Sequence, residues 1–282
     1  MSQVIDMFSL GFMQRALVAA TVVCAVAPLA GVFIVQRRAA LTGDGIGHVA
    51  FAGVGLAFLV GVQPLLGALV LTVLAAIALY RMQRAGLGGD LSLALIFYGG
   101  IALGFMFASR AGGGVNTVLG FLFGSPLNLT WGRVGAMVAL AAVVLVVVLA
   151  LYGPLVAIAF DEPAARVSGV PVNGLVLTLT LLVSLTVVGG MYAIGLLLVS
   201  AMMVIPVAAA AQLAGSYRTT MLAASAIGAG SAVIGLTVAY VADLAPGASI
   251  VLTAIACYAL AAGVRDLRAR RVSAPLSRTV KA

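Results

Sequence analysis

The chain is predicted to be all-α, a polytopic transmembrane bundle of eight or nine helices. Three observations predict it. Hydrophobic residues fill 64% of the 282 positions and charged residues only 8%, against about 25% charged in an ordinary soluble domain. Mean hydropathy is +1.26. The apolar residues also come in runs near the length that crosses a bilayer as helix, about 20 residues. Apart from Asp44, nearly every Arg and acidic residue falls between those runs or near their ends.

Nine candidate spans follow in order. The first covers 13–36, after a start that lacks the basic lead of a cleaved signal peptide, so it reads as a membrane helix. The second and third, 46–62 and 64–81, are parted only by Gln63-Pro64. The fourth and fifth cover 91–109 and 133–152, and the remaining four cover 173–188, 191–213, 219–241 and 248–264. Several are short, and the count is eight if one is re-entrant.

Two connecting segments are too long to be simple turns. The stretch Arg110 to Trp131 carries Gly112-Gly113-Gly114 and Gly120-Phe121-Leu122-Phe123-Gly124-Ser125-Pro126. It is too apolar for solvent-exposed coil and suits a short interfacial or re-entrant helix. The stretch Gly153 to Pro171 holds a helix with its own punctuation. Asp161 suits the N-cap, Glu162 and Pro163 the first turn, Arg166 the far end and Gly169 the stop. Such a helix is a natural docking element for a soluble partner, or an interfacial helix with none.

Arginine placement sets the topology. Arg37-Arg38, Arg81 and Arg84, Arg166, Arg218 and the cluster from Arg265 to Arg271 fall on one side of a nine-helix chain, with only Arg15, Arg110 and Arg133 opposite. The positive-inside bias makes the first side cytoplasmic, with the N-terminus outside and the C-terminus inside. Residues 1–265 form one transmembrane domain and 266–282 a polar cytoplasmic tail. The excess of 15 Lys+Arg over 7 Asp+Glu then serves topology and lipid headgroups, not nucleic acid. Cys24 and Cys257 stand far apart in apolar runs and read as small hydrophobes.

Two ionisable residues sit where a membrane chain keeps few. His48 is the only histidine, and it follows Asp44 by four residues in Leu41-Thr42-Gly43-Asp44-Gly45-Ile46-Gly47-His48. At that spacing both side chains share a helix face, and an ionisable pair at the mouth of an apolar segment is a functional-site hypothesis. An oxygen and a nitrogen ligand suit a divalent transition metal. The competing reading is structural: Asp44 caps its helix and His48 is an interfacial ring. Two ligands are too few for zinc or manganese, but two identical chains facing across a two-fold axis would supply four. No GxxxxGK(S/T) phosphate loop is present, so the chain carries no ATPase of its own, and one histidine without a partnered Ser or Cys gives no catalytic triad.

The ordered motifs resemble a known family. They begin with Phe12-Met13-Gln14-Arg15-Ala16-Leu17, Gly31-Val32-Phe33-Ile34-Val35-Gln36-Arg37-Arg38, and Gly43-Asp44-Gly45-Ile46-Gly47-His48 leading to Gly53-Val54-Gly55. Further on come Leu122-Phe123-Gly124-Ser125, then Phe160 to Pro171, and Val188-Gly189 through Gly195 to Pro206. Over roughly residues 10–265 the chain is similar to the membrane permease subunits of ABC-type importers for zinc, manganese or iron. Gly45 and Gly47 depart from the alanine, leucine or serine that relatives often carry, which would loosen the helix start.

The resemblance implies a type II importer-like permease in a bacterial inner membrane. It implies a second permease chain, most simply a homodimer, a cytoplasmic ATP-binding subunit, and an extracytoplasmic metal-binding receptor. Asp44 and His48 match the family's metal pair, and Asp161, Glu162, Arg166 and Gly169 fall in its ATPase-coupling helix. No cofactor is bound permanently, and the divalent ion is cargo. Two rivals stay open: a gradient-driven secondary metal transporter in which Asp44 relays protons, and a permease for an iron chelate or cobalamin. A structural membrane scaffold is a third reading, under which loss of Asp44 and His48 would be harmless.

Overall fold

The computed structural model describes residues 9–111, 114–124 and 129–273, and all regular structure among them is helical. Among the described residues twelve helices run in order: α1 Gly11–Gln36, α2 Thr42–Val60, α3 Pro64–Arg84, α4 Gly89–Arg110, α5 Gly114–Phe123 and α6 Trp131–Ala150. They continue as α7 Tyr152–Phe160, α8 Glu162–Val167, α9 Val172–Gly190, α10 Leu196–Ala211, α11 Tyr217–Ala242 and α12 Pro246–Ser273. Eight of the described helices are long and apolar enough to cross a membrane; α10 is a shorter apolar helix. The chain is a multi-pass membrane protein.

The difference between eight and nine lies in α10. Its predicted segment, 191–213, contains a turn over Met191–Ile194, and the helix begins only at Leu196. At 1.5 Å per residue its 16 residues span about 24 Å, short of a hydrocarbon core of about 30 Å. The apolar stretch after Arg110 does hold a short helix, α5, of 10 residues. Beyond Arg265, α12 continues by about two turns to Ser273; the rest of the predicted tail lies outside the described residues.

The core is built on α1, α2, α9 and α10. Phe33, Phe51, Ile46, Leu196 and Met203 are buried there, and α2 packs on α3, α4, α9 and α10. By contrast α3, α4 and α6 are mostly outward-facing, with Leu74, Leu95, Tyr98, Phe105 and Val146 exposed. Apolar side chains on an outer surface are what lipid selects, because hydrocarbon tails solvate them.

Arginine contacts are found at both ends of the bundle. At one end Arg37 pairs with Glu162, and Arg218 lies over the Tyr152 ring, 5.6 Å from its centroid. At the other, Arg133 lies 4.9 Å over the Tyr192 ring. Helix α9, of 19 residues, connects them and sets them about 28 Å apart. Cys24 is buried and Cys257 half-buried, and both thiols are free.

Candidate functional site

Asp44 lies in the first turn of α2, where aligned backbone N–H groups favour a negative charge. It does not cap that helix. Leu41 holds the cap position without a side-chain hydrogen bond, and Asp44 Oδ1 instead accepts a hydrogen bond from the Ser200 hydroxyl of α10. Ser200 is buried, 3% exposed, while Asp44 is half-buried.

Glycines make this contact possible. A Cβ on Gly43 would stand 3.0 Å from Ser200 Cβ, and one on Gly47 3.3 Å from the Leu196 carbonyl oxygen. Two bare turns of α2 therefore lie directly on α10. Gly45 faces the other way, where its missing Cβ leaves room for Leu93 of α4. The expectation that Gly45 and Gly47 loosen the helix start gives way to tight packing on both sides; α2 is helical from Thr42 onward.

One turn beyond Asp44, the half-buried His48 ring meets Phe97 of α4 edge-on, with centroids 4.5 Å apart. Gly100 of the same helix packs against the backbone of His48 and Val49. Asp44 opens on a groove of about 370 Å³ whose wall is Leu93, Ala94, Phe97 and Tyr98, with Asp90 also lining it. Asp90 lines a second cavity too, of about 490 Å³, which reaches Arg37, Arg38 and Gln83. The groove thus runs from Asp44 toward the Arg37 end. Among the described residues no group of three or more His, Cys, Asp and Glu could hold a metal; Asp44 lines the groove, and His48 stands one turn behind it against Phe97.

The second predicted element forms as the sequence suggests. Asp161 Oδ1 accepts from the Ala164 backbone N–H at 2.9 Å and caps α8. Gly169, at φ +83°, ends the turn that follows, and the Val170 N–H reaches back to the Ala165 carbonyl at 3.1 Å. Glu162 is held twice, by Arg37 at 2.8 Å and by Arg166 one turn on at 3.1 Å. Arg37 also donates to the Ile158 carbonyl at 3.2 Å. Two large apolar side chains stand exposed beside these charges: Phe160 is 87% and Val167 92% exposed.

Sequence reasoning placed Asp44 and His48 on one face and α8 in its loop. It took Arg37 only as a topology signal and gave Ser200 no part in the site. Their partners are 125 and 156 positions away in sequence, and no periodicity reveals them. The exposed pair Phe160 and Val167 was legible in principle, as apolar residues flanking a charged turn.

A model of the ABC 3 transport family matches residues 9–265. The chain belongs to the ABC 3 transport family. Among family relatives, it is 32% identical over 257 residues to the manganese transport system membrane protein MntC of Halalkalibacterium halodurans, covering 91% of this chain and 88% of that protein. It is 33% identical over 243 residues to the manganese import system permease protein ScaB of Streptococcus gordonii, covering 86% and 87%. The fold matches a chain of PsaBC from Streptococcus pneumoniae, solved in complex with Fab, at a TM-score of 0.85 and 30% identity over 95% of this chain and 99% of that one. The chain is therefore an ABC transporter permease, and the all-α bundle read from its hydropathy is that family's fold.

Proposed function

We propose that this chain is the permease of an ATP-driven importer that carries a divalent transition-metal ion, zinc or manganese, across a bacterial inner membrane. The observation that carries the reading is the placement of Asp44 and His48. They sit one helical turn apart, with Asp44 on a groove that the chain's own helices leave open. A second copy of the chain across that groove supplies the other two ligands. Relatives named for manganese make manganese the first ion to test, with zinc beside it and iron third.

The chain's own residues account for each step. An extracytoplasmic receptor delivers the ion, and neutral imidazole and ionised carboxylate replace part of its hydration shell. Few ligands keep the affinity modest, which release requires. The capped helix α8, with exposed Val167 and with exposed Phe160 at the end of α7 just before it, docks a cytoplasmic ATP-binding subunit. Closure of the ATPase pair then moves α8, and the permease alternates between outward and inward access. This docking helix favours an ATPase-driven complex over a gradient-driven carrier, and on this reading the Arg37 end is cytoplasmic, with the N-terminus outside and the C-terminus inside.

The test is uptake of zinc, manganese and iron by the reconstituted complex, comparing wild type with Asp44→Ala and His48→Ala. Both variants lose uptake on this reading. Normal transport by folded Asp44→Ala or His48→Ala protein would sink the assignment.

A further inference from the structure

We propose that Asp90 is a second, weaker contact for the divalent ion, placed on the release side of Asp44 and His48. The inference rests on the reading of those two residues as ligands. Asp90 lines both the groove at Asp44 and the cavity that reaches Arg37, Arg38 and Gln83, and Leu41 and Leu93 are common to the two as well. An ion that leaves Asp44 along the groove toward the Arg37 end therefore passes the Asp90 carboxylate.

Helix packing fixes the order of the two carboxylates. Helices α2 and α4 run side by side in the same direction: the missing Cβ of Gly45 leaves room for Leu93, that of Gly100 for the backbone of His48 and Val49, and that of Gly104 for Phe51. Asp90 precedes Leu93 by about 4.5 Å of helix rise, while Asp44 precedes Gly45 by about 1.5 Å. Asp90 thus stands nearer the end where α2 and α4 begin. It is exposed, and the helix does not use it as a cap, because Gly88 holds that position without a side-chain hydrogen bond. Among the described residues no hydrogen bond or ion pair engages its carboxylate.

A hard divalent cation accepts carboxylate oxygen together with water, so the ion can regain part of its hydration shell at Asp90 before it leaves. Two chains facing across the groove bring two such carboxylates, which match the charge of one ion. Arg38 lines the same cavity, and its positive charge keeps the hold weak. Arg37 adds less, because Glu162 offsets its charge at 2.8 Å. A weak contact beside a stronger site lowers the barrier between that site and water without deepening it, which is what passage requires.

Manganese binding and release by the assembled permease and ATPase complex test this. Asp90→Asn keeps the size and removes the charge. It should leave the equilibrium affinity for manganese unchanged, while release into excess chelator and uptake by proteoliposomes each slow roughly tenfold, a barrier change of about 1.4 kcal/mol. Asp90→Glu should restore both rates, and co-purification of the ATP-binding subunit should match wild type in both variants.

Wild-type rates in Asp90→Asn overturn the inference. So does a loss of affinity equal to that of Asp44→Asn, which would make Asp90 a ligand of the first site, and so does slow uptake with a lost ATP-binding subunit, which would make it a docking residue. The ligand reading is exposed separately: if Asp44→Asn binds manganese normally, the first site falls, whatever the Asp90 rates.

Discussion

Arg37, immediately after the last residue of α1, and Glu162, the first residue of α8, meet at 2.8 Å across 125 positions of sequence. The contact is partly shielded, with side chains 19% and 37% exposed, and Arg37 adds a second bond to the Ile158 carbonyl. It joins α8 directly to a core helix, and Arg166 braces Glu162 from the other side. A push on α8 is thereby felt by α1.

The first prediction concerns that strut. Arg37→Ala and Glu162→Ala should each lower transport several-fold while ATP hydrolysis by the assembled complex continues and metal binding is kept. Arg166→Ala should have a smaller effect, because an exposed i, i+4 pair contributes only about 0.3–0.5 kcal/mol. Parallel ATPase and uptake assays on the reconstituted complex read the ratio, and equal loss of both activities would argue that the pair serves folding alone.

The second concerns docking. Phe160→Asp and Val167→Asp place charge on side chains that are 87% and 92% exposed in the isolated chain, so the permease itself should fold with unchanged thermal stability. Co-purification of the ATP-binding subunit should fall sharply. Retained co-purification would mean that this surface faces something else.

The third concerns Gly195, which holds φ +102° and ψ 150°, a region open essentially to glycine only. Its missing Cβ also leaves room for the backbone of Leu122 to Gly124. Gly195→Ala should destabilise the chain by about 1–3 kcal/mol from backbone strain, with the packing overlap in addition, seen as a lower melting temperature in detergent. An unchanged melting temperature would show that the seam yields freely.

The fourth concerns the ligands. Asp44→Asn keeps the size and the Ser200 contact but removes the charge, and should reduce metal binding nearly as far as Asp44→Ala. His48→Gln should do the same for the nitrogen. Equilibrium dialysis with manganese and with zinc reads both, and binding at wild-type levels in Asp44→Asn would mean that charge is not what holds the ion.

The fold was legible because hydropathy is a property of composition and run length. Eight of the nine marked spans correspond to long helices, and the cap at Asp161 and the stop at Gly169 were readable from local chemistry alone. What stayed hidden was non-local. Apolar composition cannot separate the turn before Leu196 from the helix that follows it, and Asp44 looked like a cap because its true partner, Ser200, is on another helix. The glycines at 43 and 47 carry a spacing that chance also produces; only the backbone of α10 lying against them gives the pattern its meaning.

The shortness of α10 leaves a gap that backbone fills. At its start Gly195 lies against the end of α5, where a Cβ on Gly124 would stand 2.6 Å from the Ile194 carbonyl carbon, and Gly247 of α12 closes on the same turn. A seam made of main chain has no side-chain rotamer to swing aside on the picosecond-to-nanosecond scale; it parts only when whole helices part, on the microsecond-to-millisecond scale. Motion at the start of α10 is thereby collective, shared with the end of α5 and the start of α12.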